Sequence, residues 1–316
     1  MTVAFVFPGQ GSQAVGMGKA LAEMFPSARC VFDEVDAALS QKLSTLMWEG
    51  PEAELMLTAN AQPALMAVSM AVLAVLQSEH GIALATSAAF VAGHSLGEYS
   101  ALAGAATFSI SDAARLLRIR GLAMQSATPV GVGAMAAILG LDFADVAAIA
   151  AEAAQGEVCQ AANDNSSGQV VISGHKAAVD RACELAKARG AKRALLLPVS
   201  APFHCVLMQP AAQAMAEALA SVAMHAPSVP MIANVVAGPV TDVNDVRKRL
   251  VEQVTGTVRW RESVGYMSQQ GVDVFCEIGA GKVLTGLLKK NAPEARGLAI
   301  GAPDDIAAAV AVLKQG

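Results

Sequence analysis

The length and composition of the chain favour a folded protein with a large core and exclude several functional classes. Of its 316 residues, 54% are hydrophobic and only 16% are charged, which excludes intrinsic disorder. The formal net charge of −5 argues against non-specific nucleic-acid binding, because such binding requires clustered Lys and Arg. The length predicts one large domain, with or without a smaller insert.

The cysteines and the N-terminal segment predict a cytoplasmic protein. Five cysteines without a CxxC pair are typical of a reducing compartment, and not of a disulfide framework or a zinc site. The N-terminus, MTVAFVFP, lacks the basic start and long apolar segment of a signal peptide. The longest apolar stretch, Pro63 to Leu76, is too short to span a bilayer, so it predicts a buried helix and no membrane segment.

Short apolar runs alternate with helical patterns along most of the chain. The runs are almost wholly apolar, which is typical of strands buried on both faces in a parallel sheet. The predicted strands are Val3–Phe7, Ala88–Ala92, Ala194–Val199, Met231–Val235, Val272–Ile278 and Gly297–Ile300. The predicted helices are Gly18–Met24, Gln62–Glu79, Ser111–Gln125, Gln209–Ser221, Val243–Gln253 and Val283–Lys290. This alternation indicates an α/β fold.

One region has a different order of elements, which predicts an inserted subdomain. Its elements are strand Ala134–Leu139, helix Asp142–Gln155, strand Val158–Ala162, strand Val170–Ser173, helix Lys176–Arg189 and strand Lys192–Leu197. The order βαββαβ is that of a ferredoxin-like unit. We therefore expect a ferredoxin-like subdomain over residues 128–198, inserted into an α/β core with a parallel sheet formed by residues 1–127 and 199–316.

The segment Gly93-His94-Ser95-Leu96-Gly97 matches the nucleophile elbow G-x-S-x-G. The five-residue pattern is common, but here an apolar strand precedes it and a helix-compatible segment follows. A serine in such a turn is an activated nucleophile when a base takes its proton. In an elbow of this kind, the N–H of the following residue, Leu96, points into an oxyanion hole.

Among five histidines, His204 is favoured as the base for Ser95. It follows the predicted strand Ala194–Val199 and precedes a helix, and α/β sites form in the loops at the carboxyl ends of parallel strands. His94 adjoins the serine, but neighbouring side chains in a sharp turn diverge, so packing under the elbow is its expected role. No Asp or Glu stands in an obvious position to orient the imidazole. A carbonyl acceptor for its Nδ1–H is the alternative to the usual triad.

Arg120 lies within the apolar stripe of the predicted helix Ser111–Gln125. An uncompensated buried charge costs about 3–5 kcal/mol, so this guanidinium must have a partner. Two interpretations stay open at this point. One is a structural ion pair, and the other is a bidentate clamp for a substrate carboxylate.

Two glycine-rich loops resemble nucleotide-binding motifs only partially. The loop Gly9-x-Gly11-x-x-Ala14 overlaps the dinucleotide fingerprint, but the second strand and its acid are missing. A better use of this loop is to place Gln10, a neutral donor, beside the elbow. The loop Gly279-Ala280-Gly281-Lys282 lacks the Ser or Thr that follows the lysine in a phosphate-binding loop.

Together these segments resemble the malonyl-CoA:acyl-carrier-protein transacylases of type II fatty acid synthesis. The resemblance covers essentially the whole chain. The matching motifs are FVFPGQGSQ (Phe5–Gln13), GHSLGEYSAL (Gly93–Leu102), RGLAMQ (Arg120–Gln125), the loop ending in Phe203-His204, the region from Gln253 to Trp260, and EIGAGKVLTGL (Glu277–Leu287). In combination, these motifs are highly specific.

The resemblance implies a role for each matching residue in a ping-pong transfer. Ser95 would be malonylated with His204 as its base, Arg120 would bind the malonyl carboxylate, and the N–H groups of Gln10 and Leu96 would form the oxyanion hole. The Gln253 carbonyl would hold His204, and Asn163 is expected to face the cleft. The implied core is hydrolase-like. Phe203 departs from many bacterial members, which have a small residue there; it resembles the bulky residue of malonyl-specific polyketide synthase domains and should disfavour methylmalonyl groups.

The resemblance also predicts the reactants and partners. They are malonyl-CoA and an acidic, phosphopantetheinylated acyl carrier protein, for which Lys289-Lys290 and Arg189–Arg193 are candidate docking groups. We expect a monomer that needs no metal or other cofactor, with coenzyme A entering only as the substrate thioester. Three alternatives remain: the malonyl transferase subunit of a malonate decarboxylase, a serine hydrolase of acyl thioesters, and a non-enzymatic binding module.

Overall fold

Two sheets organise the computed structural model, which describes residues 1–199 and 201–314. In chain order the strands are β1 (Val3–Phe7), β2 (Phe90–Gly93), β3 (Gly133–Leu139), β4 (Cys159–Ser166), β5 (Gln169–His175), β6 (Arg193–Leu196), β7 (Met231–Ala233), β8 (Gly238–Val240), β9 (Val274–Ile278) and β10 (Arg296–Ile300). The first sheet has the order β10-β9-β1-β2-β7-β8 and the second has β4-β5-β3-β6. The predicted α/β class is confirmed.

Helices cover the first sheet and one face of the second. They are α1 (Lys19–Met24), α2 (Pro26–Leu39), α3 (Leu43–Glu49), α4 (Glu52–Leu55), α5 (Thr58–His80), α6 (Leu84–Ser87), α7 (Gly97–Gly104), α8 (Ile110–Ser126), α9 (Phe143–Ala154), α10 (Lys176–Ala188), α11 (Gln209–Ser221), α12 (Val243–Thr255), α13 (Trp260–Gln269), α14 (Val283–Asn291) and α15 (Pro303–Leu313).

The first sheet is parallel from β10 to β7, as the apolar runs predict. β1 is buried along its whole length and pairs in parallel with β2 on one side and β9 on the other. β8 is absent from the prediction: it contains Pro239, which argues against a strand. In the structure β8 pairs antiparallel with β7 at the sheet edge, where a residue without an N–H is tolerated.

The second sheet has the ferredoxin-like arrangement that the element order predicts. Its strands pair antiparallel, with β3 and β5 in the centre and β4 and β6 at the edges. The expectation that Ala194–Val199 is buried on both faces is wrong. The strand is the edge strand β6, where Leu195 and Leu196 are 47% and 54% exposed. The boundaries at residues 128 and 198 stay predictions.

The long apolar helix α5 corrects one argument from the sequence. It spans 23 residues, because it begins before Pro63 and continues past Leu76, so it is not too short for a bilayer. In the described part of the chain it is the one helix that meets the length and hydropathy criteria for a membrane span. However, 89% of its apolar window is buried inside the protein, which agrees with the predicted core helix.

Helix α8 crosses close to the start of α5 at Gly121, which adjoins Arg120. A Cβ on Gly121 would lie 2.5 Å from the Cα of Ala59, so Gly121→Ala should push the two backbones apart and destabilise the fold by about 1–3 kcal/mol. Gly265, inside α13, has open space around its missing Cβ. Gly265→Ala should therefore stabilise the fold by up to about 1 kcal/mol through helix propensity. Urea unfolding of both variants measures the contrast, and equal effects would contradict this description of the α5–α8 contact.

Candidate active site

Ser95 lies in a tight turn between β2 and α7. Its backbone is left-handed, with φ 54°, which is uncommon for a residue other than glycine. The flanking glycines let the chain pass close to itself. A Cβ on Gly93 would lie 1.8 Å from the carbonyl carbon of Gly97, and one on Gly97 would lie 2.3 Å from the Phe7 oxygen. The turn therefore presents the Ser95 hydroxyl to a cavity at the carboxyl ends of the strands.

His204 is brought to Ser95 across 109 positions of sequence. Its Nε2 lies 2.7 Å from the Ser95 Oγ, and its Nδ1 lies 2.9 Å from the backbone oxygen of Gln253. Gln253 is near the C-terminus of α12, where helix carbonyls have no partner within the helix. The carbonyl must accept, so Nδ1 carries the proton and Nε2 is left to accept from the serine. Ser200, four positions before His204 in the sequence, lies outside the described residues.

The electrostatics of the pocket keep the His204 ring neutral. Burial, together with the nearby Arg120 guanidinium, lowers the pKa of His204 to about 3, and the hydrogen bond to the Gln253 carbonyl opposes this only in part. The ring is 4% exposed and its backbone is also left-handed, with φ 59°. A neutral imidazole with a free Nε2 lone pair has the form that a general base needs.

Arg120 is buried at 1% exposure, and all its hydrogen-bond partners are neutral. Its terminal nitrogens donate to Gln62 Oε1 at 2.8 Å, to Gln253 Oε1 at 2.8 Å and to Ser95 Oγ at 3.0 Å. Among the ion pairs of the described residues, none includes Arg120. The structural ion pair considered from the sequence is therefore not observed, and the guanidinium meets the cavity without a carboxylate.

Strand register places Gln10 and Leu96 next to each other. Phe7 pairs with Gly93, so the loop after β1 runs beside the elbow after β2. In the described part of the chain, the backbone N–H groups of Gln10 and Leu96 donate to no other protein group, and both residues line the cavity. The Gln10 side chain is turned aside and donates to Thr58 Oγ1 at 3.3 Å.

The cavity has a volume of about 410 Å³ and lies between the two sheets. Arg120 and Met124 of α8 line it from the core, and Met135 of β3 lines it from the second sheet. Phe203 and Asn163 also line it, and both are nearly buried. A more open groove of about 940 Å³ between α10 and β6 contains none of the predicted site residues.

Two other sequence interpretations are refined by the structure. His94 does not simply pack: its Nε2 lies 2.8 Å from Asn165 Oδ1 of β4, so it links the elbow to the second sheet. At the loop Gly279–Lys282, the N-terminus of α14 is already occupied by the Glu277 carboxylate, which accepts from the N–H groups of Leu284 and Thr285. The carboxylate thus takes the position at the helix N-terminus that a bound phosphate would have in a phosphate-binding loop. Among the described residues, no group of three or more His, Cys, Asp or Glu side chains is arranged to hold a metal.

Three side chains of the site have no part in the sequence analysis. Gln62 accepts from Arg120. Asn234, directly after β7, accepts from the Ser95 N–H and donates to the Gly93 oxygen. Glu98, in the first turn of α7, is fully buried. Glu98 was detectable in principle, since it is the one acid in the short, largely apolar helix α7, much as Arg120 is a base within the apolar stripe of α8.

Comparisons with known proteins identify the family of this chain. The chain matches the acyl transferase domain family over residues 4–308. It belongs to this family. The malonyl CoA-acyl carrier protein transacylase of Escherichia coli strain K12 is 49% identical over 97% of this chain and 98% of its own length. The acyl-carrier-protein S-malonyltransferase structure from Bartonella henselae has a TM-score of 0.97 and 57% identity, covering 99% of this chain and 100% of that one.

A further relative of this acyl transferase was solved with a protein bound. In a complex of a type II PKS acyl-carrier protein with its malonyl-transacylase, the matched chain is 43% identical, with a TM-score of 0.95 and coverage of 99% and 100%. The resemblance inferred from the motifs is confirmed by these relatives, since the identity extends over nearly the full chain.

The lowered pKa of His204 gives a test by NMR and by unfolding. With histidines labelled by ¹⁵N, the His204 ring should remain the neutral Nδ1–H tautomer as the pH falls to about 4; His204→Asn assigns its signals. Between pH 6.5 and about 3, the unfolded chain takes up a proton at this ring that the folded chain does not. The wild type should therefore lose stability relative to His204→Asn as the pH falls through this window. A ring that titrates near pH 6.5 would refute the assignment.

Proposed function

We propose that this protein transfers the malonyl group from malonyl-CoA to the phosphopantetheine thiol of an acyl carrier protein, through a malonyl-Ser95 intermediate. One observation carries the proposal: Ser95 Oγ lies within hydrogen-bond distance of both His204 Nε2 and the buried Arg120 guanidinium. A nucleophile with its base is common to acyl transfer, and a buried cation without a carboxylate beside it selects an acyl group that carries one.

In the first half-reaction, Ser95 Oγ attacks the thioester carbonyl while His204 Nε2 takes its proton. The N–H groups of Gln10 and Leu96 donate to the oxygen that becomes negative. The carbon–sulfur bond then breaks, and the coenzyme A thiolate takes the proton from His204. In the second half-reaction the carrier thiol gives its proton to His204 and attacks the malonyl ester, and the proton returns to Ser95. These steps need no resident metal or redox cofactor.

Through Arg120, binding of the malonyl carboxylate also affects the reactivity of Ser95 and His204. In the free site one N–H of Arg120 donates to Ser95 Oγ, and its charge helps to hold the pKa of His204 low. A carboxylate on Arg120 would draw that N–H from the serine and offset the charge near the imidazole, so His204 would become a stronger base. An acetyl group offers neither effect. Discrimination would therefore act on the chemical step as well as on binding.

Three of the cationic residues proposed for carrier docking lie around one hollow of the surface. Lys192 and Arg193 at the start of β6 line the same hollow of about 330 Å³ as Lys290 of α14. Arg189 is instead paired with Glu152, so it contributes less to this surface. An acidic carrier has a complementary surface here. We also place the protein in the cytoplasm, where its cysteines, all free of disulfides, would stay reduced.

Intact-mass measurement after incubation with malonyl-CoA tests the covalent intermediate. The wild type should gain one malonyl group and lose it on addition of holo carrier protein, whereas Ser95→Ala should gain none. Ser100→Ala is the matched control, because the Ser100 hydroxyl is buried in α7 without a hydrogen-bond partner in the described chain. Release of free malonate without transfer would identify a hydrolase, and unchanged transfer by Ser95→Ala would exclude the proposed intermediate.

Arg120→Ala tests acyl selection. The variant should malonylate Ser95 at least about 100-fold more slowly, because the carboxylate loses a buried charged partner. It should also lose most of the wild type's preference for malonyl-CoA over acetyl-CoA. Arg118→Ala is the control: Arg118 is on the same helix but donates to Asn60 and Gln41, outside the cavity. If Arg120→Ala kept the wild-type preference, another group would have to bind the carboxylate.

A further inference from the structure

Glu98 is a fully buried carboxyl group in the residue that directly follows the nucleophile elbow, and the transfer mechanism does not use it. Its two oxygens face two donors. Oε1 accepts from the backbone N–H of Asn234 at 2.5 Å, and Oε2 accepts from Gln253 Nε2 at 2.5 Å. A buried carboxylate is costly unless such partners compensate it, so a helix that only packed against the sheet would be expected to have an apolar residue here.

The two partners of Glu98 each hold parts of the active site. The Asn234 side chain accepts from the Ser95 N–H at 2.9 Å and donates to the Gly93 oxygen at 2.7 Å, so it spans the strained turn. The Gln253 side chain donates to the Ser95 oxygen at 2.8 Å and accepts from Arg120, while its backbone oxygen accepts from His204. Ser95, His204 and Arg120 are thus each one hydrogen bond from a partner of Glu98.

We propose that Glu98 is a positioning residue for the transfer reaction, which fixes Asn234 and Gln253 and, through them, the geometry of Ser95, His204 and Arg120. The proposal rests on the proposed function of this site. Both contacts of Glu98 are with donors, and only a carboxylate offers an acceptor at each of its two positions. A glutamine of the same shape would set an NH₂ group against one of those donors.

The Gln253 amide also connects Glu98 to Arg120 electrostatically. Its oxygen faces the guanidinium and its nitrogen faces the carboxylate, so its dipole is aligned between the two charges. Burial raises the pKa of Glu98, while the hydrogen bonds from Asn234 and Gln253 and the charge of Arg120 oppose that rise. Because both oxygens face N–H donors, the contacts are those of the ionised carboxylate. Tyr99, the neighbouring residue on α7, is the other titratable group that interacts with this carboxyl. Because an amide is interposed, Glu98 compensates Arg120 without occupying the face that meets the cavity.

Glu98→Gln tests the proposal with a matched control. The single-turnover rate of Ser95 malonylation, measured by quenched intact mass, should fall about 10- to 100-fold, since small displacements at a reacting centre have effects of this size. The malonyl-CoA concentration at half-maximal rate should not rise, because Arg120 still faces the cavity. Glu277→Gln is the control: Glu277 is equally buried and its two oxygens also accept from N–H donors, here the backbone N–H groups of Leu284 and Thr285 in α14. It should lower thermal stability and leave the rate per folded site unchanged.

A double-mutant cycle separates positioning from general destabilisation. In a Gln253→Ala background the hydrogen-bond acceptor of His204 is kept, because it is the backbone carbonyl of residue 253. The hydrogen bond from the Gln253 side chain to Glu98 is lost. Glu98→Gln should then cost clearly less than in the wild type. Additive effects would mean that Glu98 does not act through Gln253. If Glu98→Gln fails to fold, Glu98→Asp keeps the charge and is too short to reach both donors, so it should show an intermediate loss of rate.

A serine-directed fluorophosphonate gives a readout that does not depend on the acyl substrate. Its rate of reaction with Ser95 should fall in Glu98→Gln about as far as malonylation does, and should not fall in Glu277→Gln. A wild type that forms no malonyl adduct but reacts with the probe would overturn the proposed function alone. A folded Glu98 variant with wild-type rates in both assays would overturn the positioning role.

Discussion

The active site depends on a guanidinium that is buried without a carboxylate in contact. Arg120 at 1% exposure is held by Gln62, Gln253 and Ser95, all neutral. Its remaining stabilisation comes from Tyr99, whose ring lies 5.8 Å from the guanidinium carbon, and from Glu98 beyond the Gln253 amide. The face of the guanidinium that lines the cavity has no acid in contact with it. The position of Gln253, and with it of His204, follows from this arrangement.

The second constraint is the register of the parallel strands. The pairing of β1 with β2 sets the loop containing Gln10 beside the elbow, and the pairing of β2 with β7 sets Asn234 beneath it. Ser95 and His204 both have left-handed backbones, so each is held in place against a conformational preference. Three hydrogen bonds hold the two residues there: Asn234 and Gln253 bind the backbone of Ser95, and the Gln253 carbonyl binds the His204 ring. The backbone strain is therefore confined to Ser95 and His204, and these hydrogen bonds compensate for it.

Much of the fold was predictable because its signals are local. The buried run Val3–Phe7 and the order βαββαβ each depend on residues close in sequence, and both appear in the structure. Ser95 is identified by the G-x-S-x-G pattern of its turn, and Arg120 by the apolar residues on the same stripe of its helix. Asn234 is not identified by such a pattern, because its role arises only when β7 and α7 meet, 136 positions apart. Glu98 is detectable as an acid in a largely apolar segment, but its hydrogen-bond partners are not. The helix predicted at Gln62–Glu79 begins four residues earlier, at Thr58, because packing in the core sustains the helix on both sides of Pro63.

In the free site, the charge of Arg120 lowers the reactivity of both Ser95 and His204. With Arg120 uncompensated by a ligand, His204 is a weak base and the serine oxygen is engaged by the cation, so the nucleophile is restrained in the presence of water. A malonyl carboxylate would relieve both restraints at once, since it supplies the charge that the core lacks. In the role proposed for Glu98, the Gln253 amide separates its carboxyl group from Arg120, so the face of the guanidinium that lines the cavity stays open to a substrate carboxylate.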